Sequence, residues 1–376
     1  MLYQLLFRFL LRRIPAEQAH ALAKASLRLV MATRPGRALV RRLVGPTPSC
    51  LVTHALGRTF SSPLGVAAGV DKDVTWFEGL GALGFGFVEV GTITALPQRG
   101  NPKPRVARVT ADRAIVNRMG FPNPGAAVAA ERLTKRSAQP VVGVNIGKSM
   151  TTLLDDAASD YRATTRRLAP VADYLVLNVS SPNTPGLRAL HTPDRLRALV
   201  GEIRAELSEI DRAPPLLVKI SPDLEDDELD AIARLARELQ LDGIVCVNTS
   251  VDHGVLSDRG ASVASLGGGG VSGKPLGRRA ADVLRRIRRA GGDSLVLISV
   301  GGVESADDVW ERLRAGASLI QVYAALVYEG PGWPKRVNQE LSLRVRDAGL
   351  TSIRDVVGAD DRDAGESRSA AGLEAL

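Results

Sequence analysis

The sequence predicts an α/β protein: a (β/α)8 TIM barrel preceded by an N-terminal amphipathic helical extension. Three observations predict it. From residue 63 onward, eight short apolar runs alternate with amphipathic or charged stretches, the pattern of a parallel sheet covered by helices. The eight units occupy roughly 280 residues, a length that suits such a barrel. A doubly wound open sheet would want a Gly-rich turn after its first strand and an acid about 20 residues further on, and Gly65, Gly69 and the Gly267–Gly270 run do not sit in that frame.

Composition bounds the rest. Of 376 residues, 45% are hydrophobic and 24% charged, which excludes a disordered or collagen-like chain. No run of about 18 uninterrupted apolar residues exists, so no transmembrane helix is expected. Two cysteines, Cys50 and Cys246, make no disulfide scaffold and suit a reducing compartment. The net charge is +8. Residues 1–50 hold nine basic side chains and one acid, Glu17. That segment supplies the whole imbalance, and the remainder is formally neutral. An extended basic surface for nucleic acid is therefore not required of the main domain. Arginine outnumbers lysine 41 to 8, a hint of a GC-rich genome.

Taken in order, residues 1–45 read as the helical extension. Leu2, Leu5, Leu6, Phe9 and Leu10 recur at helical spacing, opposite Gln4, Arg8 and Arg12. Pro15 suits the first turn of a second helix carrying His20, Leu22, Leu27 and Leu29, which Pro35-Gly36 is expected to end. Arg8 interrupts the apolar run and no small-residue cleavage site follows, so a secretory signal is not expected. Such a pair fits a cap on one barrel end, or an interfacial anchor whose arginines meet anionic lipid, each worth about 1 kcal/mol near the surface. The charge concentration favours the anchor.

Residues 46–350 form the expected barrel domain. Its strands are placed at 63–70, 87–93, 141–146, 173–180, 215–221, 243–250, 294–301 and 318–324, with helices such as 193–211, 225–240, 276–290 and 305–315 between them. Residues 94–125, rich in Pro and Asn, suggest an extra hairpin at 105–109 and 114–117. Cys246 reads as a small core residue within a strand, and Gly267–Gly270 as a flexible loop. Residues 351–376, rich in Asp, Ser and Ala, are expected to be a loose tail.

Functional residues of a barrel gather where strands end. Those ends read Ala68-Gly69-Val70-Asp71-Lys72, Gly91-Thr92, Asn145-Ile146-Gly147, Asn178-Val179-Ser180-Ser181-Pro182-Asn183, Lys219-Ile220-Ser221, Asn248-Thr249-Ser250, Gly301-Gly302 and Tyr323-Ala324. The ring is rich in amides and lysines, poor in carboxylates, and without His/Cys/Asp/Glu metal spacing. Metal catalysis and two-carboxylate glycoside chemistry are thereby disfavoured. A planar, anionic ligand with many acceptors fits, whether flavin-like, orotate-like or a sugar phosphate. Gly301-Gly302 allows close backbone approach to a phosphate, and Ser305 suits the cap of the next helix.

The run Asn178-Val179-Ser180-Ser181-Pro182-Asn183-Thr184-Pro185-Gly186-Leu187-Arg188, with Asn117-Arg118-Met119-Gly120-Phe121 and Asn145-Ile146-Gly147-Lys148, resembles the dihydroorotate dehydrogenases, and more narrowly their membrane-associated, quinone-linked class. The likeness runs from about residue 15 to about 335. The resemblance implies FMN as cofactor and oxidation of dihydroorotate to orotate in pyrimidine synthesis, with hydride passing to flavin N5. It matches FMN contacts to Ala68, Gly69, Lys72, Thr92, Asn145, Asn178, Lys219, Val247, Gly273, Gly302, Tyr323 and Ala324. Substrate contacts match Lys72, Asn117, Arg118, Met119, Gly120, Phe121, Asn178, Asn183, Asn248 and Thr249. Ser181 matches the catalytic base, although Ser-Ser-Pro-Asn is also good turn chemistry. His20, Arg108 and Tyr323 match positions lining a quinone tunnel. Ala324 departs from the hydroxyl residue expected there, a change of little consequence if the contact is a backbone N–H.

Soluble relatives in the wider family place a cysteine where this chain has Ser181, and neither Cys50 nor Cys246 stands in for it. The resemblance thus implies a membrane quinone as acceptor, an anionic lipid surface as partner, and a peripheral location on the cytoplasmic side of a bacterial inner membrane. The bacterial expectation leans on the lack of an Arg/Ser-rich transit segment. No nucleic-acid or obligatory protein partner is expected. Two other readings are a flavin barrel acting on tRNA, against which the neutral main domain argues, and a silent barrel used as a scaffold, against which the intact polar mouth argues.

Overall fold

In the computed structural model, residues 2–258 and 260–362 are described. Eight strands close into a parallel barrel in sequence order: β1 (Leu64–Val66), β2 (Phe87–Ile93), β3 (Val141–Ile146), β4 (Tyr174–Asn178), β5 (Leu216–Lys219), β6 (Gly243–Cys246), β7 (Val296–Val300) and β8 (Leu319–Val322), with β8 pairing back onto β1. The open-sheet alternative is excluded by that closing ladder. Each predicted strand is present, several of them shorter than predicted.

Nearly every strand residue is buried, because helices cover the outside while side chains of alternate residues fill the inside. Along the inward rows, chemistry changes with height. Phe87, Tyr174, Leu217 and Leu319 pack the lower interior. Two residues further along the same strands stand Glu89, Val176, Lys219 and Gln321. Asn145 and Asn178 complete the polar upper layer. Gly143 gives the Tyr174 ring its space, since a Cβ there would lie 2.0 Å from the ring. The hairpin Thr53–Ala55 with Arg58–Phe60 closes the lower end, Phe60 meeting Phe87 edge-on at 5.4 Å.

The outer helices follow their sequence signals. Pro193 opens the helix Pro193–Leu207. Ser305, as expected, caps Ala306–Arg314, accepting from the Asp308 amide while Asp308 returns a bond to the Ser305 N–H. Cys246 is fully buried in β6.

Three expectations are corrected. Pro35 does not end a helix. After α1 (Leu2–Phe9) and α2 (Ala16–Ala32), it sits in the first turn of α3 (Arg34–Val44), whose cap is Thr33 accepting from the Gly36 amide at 3.1 Å. Proline's missing N–H costs nothing there. The Gly267–Gly270 run is not wholly loop, because Gly270–Gly273 forms a third strand on the predicted hairpin Val106–Val109/Ala114–Asn117. Nor is the chain after 350 loose throughout. Ile353 and Val356 are buried, and Asp360 and Asp361 pair with Arg314 and Arg288 at 2.8 and 2.9 Å. Residues 363–376 lie outside the described residues.

Candidate active site

One cavity of about 750 Å³ begins over the strand tips and continues beneath α1 and α2. Its polar end is built by strand termini. Lys219 ends β5, Asn178 ends β4, and Thr92 lies near the end of β2. Strand alternation aims the first two inward, and the rise from apolar to polar along each strand places them at the mouth.

Of the residues predicted to touch cofactor, substrate or quinone, all but two line this cavity, Ser181 included. Asn145 lies fully buried just below, its Oδ1 accepting from Thr92 at 2.5 Å and from Asn178 at 3.2 Å. Arg118 faces the outer rim instead, donating to the Pro104 carbonyl at 3.3 Å beside Pro182 and Gly267–Gly269.

The amides form a connected array. Asn248 donates to Asn178 Oδ1 at 3.2 Å and to Ser180 Oγ at 2.9 Å, and Asn183 donates to the Asn117 carbonyl at 3.2 Å. Ser181 is 4% exposed, and its Oγ accepts from the Asn183 amide at 3.2 Å. Lys72 Nζ bonds the Gly69 carbonyl. Burial pushes the Lys219 pKa down, while the charge of Glu89 opposes that fall. Gly302 lines the mouth at φ +71°, and a Cβ there would lie 2.2 Å from Gly277 Cα. Only glycine leaves the backbone open at that point.

The other end of the cavity is apolar, with Leu6, Phe7, Leu11, Ala23 and Leu27 on its walls. His20 meets the Trp76 ring edge-on at 5.4 Å. Its pKa is lowered to about 4, chiefly by burial and further by Lys72 and Lys24, so a neutral imidazole faces this arm at neutral pH. Arg108 bonds the Ile14 carbonyl and lies over the Phe7 ring at 5.9 Å. Outside, Leu5, Leu6, Phe9, Leu10, Leu22, Leu29, Leu39 and Leu43 are exposed among the arginines. No described helix is long and apolar enough to cross a membrane.

Sequence reasoning missed Glu89 and Gln321, both fully buried, with Gln321 donating to Glu89 at 2.6 Å. The signal was present: a carboxylate in Phe87-Val88-Glu89-Val90 shares its inward row with Phe87. It also missed Thr184, whose buried hydroxyl has no protein partner.

A sequence-family model described as dihydroorotate dehydrogenase matches residues 50–345. A Thermobifida fusca protein named dihydroorotate dehydrogenase (quinone) is 50% identical over 365 residues, covering 96% of this chain and 97% of that protein. A Mycobacterium tuberculosis protein (strain ATCC 25177 / H37Ra) of the same name is 51% identical over 357 residues, covering 95% and 98%. Among solved structures, DHODH from Eimeria tenella in complex with ferulenol superposes with a TM-score of 0.78 at 36% identity, covering 88% of this chain and 96% of that one. With a family model matched over most of the chain, a shared barrel and half of its residues in common with curated relatives over nearly its whole length, this chain belongs to the dihydroorotate dehydrogenase family.

Proposed function

We propose that this protein oxidises dihydroorotate to orotate through bound FMN and passes the electrons to a membrane quinone. The observation that carries the proposal is the single cavity with two unlike ends. Its polar end suits a small anionic ring substrate, and its apolar end suits a quinone head arriving from lipid. The residues fit FMN: an open backbone at Gly302 for the phosphate, first-turn amides at Ala324, and a ring of amides for the flavin edge. FMN, when bound, supplies the hydride acceptor.

The chain's own residues do the rest. Lys72 and the asparagines at 117, 178, 183 and 248 hold the carboxylate and ring amides of the substrate, which is a positioning role. The buried Lys219 ammonium stabilises negative charge developing at the cofactor's edge. Ser181 takes the substrate proton. A serine hydroxyl is a weak base and needs a route onward for that proton; the buried Thr184 hydroxyl, which has no protein partner, lies on the same loop. The apolar face of α1–α3 rests in the headgroup layer of the inner membrane's cytoplasmic side, with its arginines on anionic lipid.

Replacing Ser181 with Ala tests the assignment. Flavin reduction by dihydroorotate should slow about 10²- to 10⁴-fold, roughly 3–5 kcal/mol, with FMN retained. A normal reduction rate would remove Ser181 from the mechanism.

A further inference from the structure

Glu89 is fully buried on β2, below the mouth, and does not line the cavity. Its two oxygens accept from Asn145 Nδ2 at 2.8 Å and Gln321 Nε2 at 2.6 Å. We propose that Glu89 is the positioning residue that fixes the hydrogen-bond direction of the mouth, from Asn145 through Asn178 to Asn248.

A carboxylate accepts and cannot donate. The nitrogen of Asn145 must therefore face Glu89, which turns Asn145 Oδ1 towards Thr92 and Asn178. Asn178 spends its nitrogen on that oxygen at 3.2 Å and on Thr92 Oγ1 at 2.9 Å. Its own Oδ1 is thereby committed to Asn248 Nδ2 and to the Ser180 hydroxyl, each at 3.2 Å. Asn248 Oδ1 then takes the Thr249 amide at 2.8 Å. Reversing Asn145 or Asn178 sets like ends against each other in a buried place, and reversing Asn248 does so in a half-buried one. The direction set at Glu89 thus propagates from β2 across β3 and β4 to the loop after β6. Glu89 also opposes the effect of burial on Lys219.

The functional consequence rests on the FMN reading above; the geometry does not. Glu89→Gln keeps the shape but lets either end of a neutral amide face Asn145. In purified, flavin-loaded protein, FMN release on dilution, read by flavin fluorescence, should be at least tenfold faster. The flavin midpoint potential should move positive, because a negative charge beneath the site is gone. Combining Glu89→Gln with Asn145→Asp restores the direction, with a donor at 89 and an acceptor at 145 still serving Thr92 and Asn178, and release should slow again. Unchanged release and potential in the single variant would overturn the proposal. So would a loss that the paired variant fails to recover. Should the single variant not fold, neutron diffraction from deuterium-exchanged wild-type crystals decides: deuterons on Asn145 Nδ2 facing a bare Glu89 support it, and a deuteron on Glu89 or a reversed Asn145 overturns it. Wild-type protein purified without flavin would sink the functional reading alone, since the neutron result stands independently.

Discussion

At Gly302 the mouth tolerates no side chain: φ is +71° and Gly277 Cα would lie 2.2 Å from a Cβ. Gly302→Ala should lower the melting temperature and reduce the bound FMN, at a cost of about 1–3 kcal/mol from strain and overpacking. Flavin content per chain and thermal unfolding check this together. His191 makes a second residue-level prediction. Its pKa is lowered to about 4, chiefly by burial and then by Arg188. Between pH 6.5 and 4 the unfolded chain binds a proton that the folded one refuses. The stabilisation is therefore full above pH 6.5 and is lost as pH falls towards 4, by up to about 3 kcal/mol. Urea midpoints at pH 7 and pH 5 should differ less in His191→Gln than in the wild type; equal differences would refute it. At this scale the polar strand tips were legible because each follows an apolar run. Glu89 carried a signal, an acid on the row of Phe87, that goes unread because one acid inside a strand reads as strand until its inward row is known.

Among elements, the barrel strands were legible from local sequence, since burial on both faces leaves continuous apolar runs. The strand Gly270–Gly273 was not. Glycine carries little strand signal, and its partner Ala114–Asn117 is more than 150 residues away in the chain. Pro35 misled for a related reason: it marks a helix boundary without saying which side of it the helix lies. The helices α1–α3 form the apolar end of the cavity, so they should be separable from the mouth in function. Deleting residues 1–45 should abolish quinone turnover while dihydroorotate still bleaches the flavin. Unimpaired quinone turnover in the flavin-loaded, truncated enzyme would contradict the role given to these helices.

Over the whole molecule, the charge and the apolar surface share an address. The formal excess of +8 falls in residues 1–50, and nine of the large exposed apolar side chains lie on α1–α3 or just after α1. The barrel mouth opens into the cavity beneath that face. In the proposed function, a water-soluble substrate and a lipid-borne oxidant approach one site from different sides. Anaerobic stopped-flow absorbance on the purified protein tests this most directly. Dihydroorotate is mixed first, followed by a soluble quinone, with fumarate and NAD in parallel. The account predicts that dihydroorotate bleaches an oxidised flavin spectrum and that quinone alone restores it quickly. Restoration by fumarate or NAD in place of quinone, or a bound flavin that dihydroorotate leaves oxidised, would contradict it.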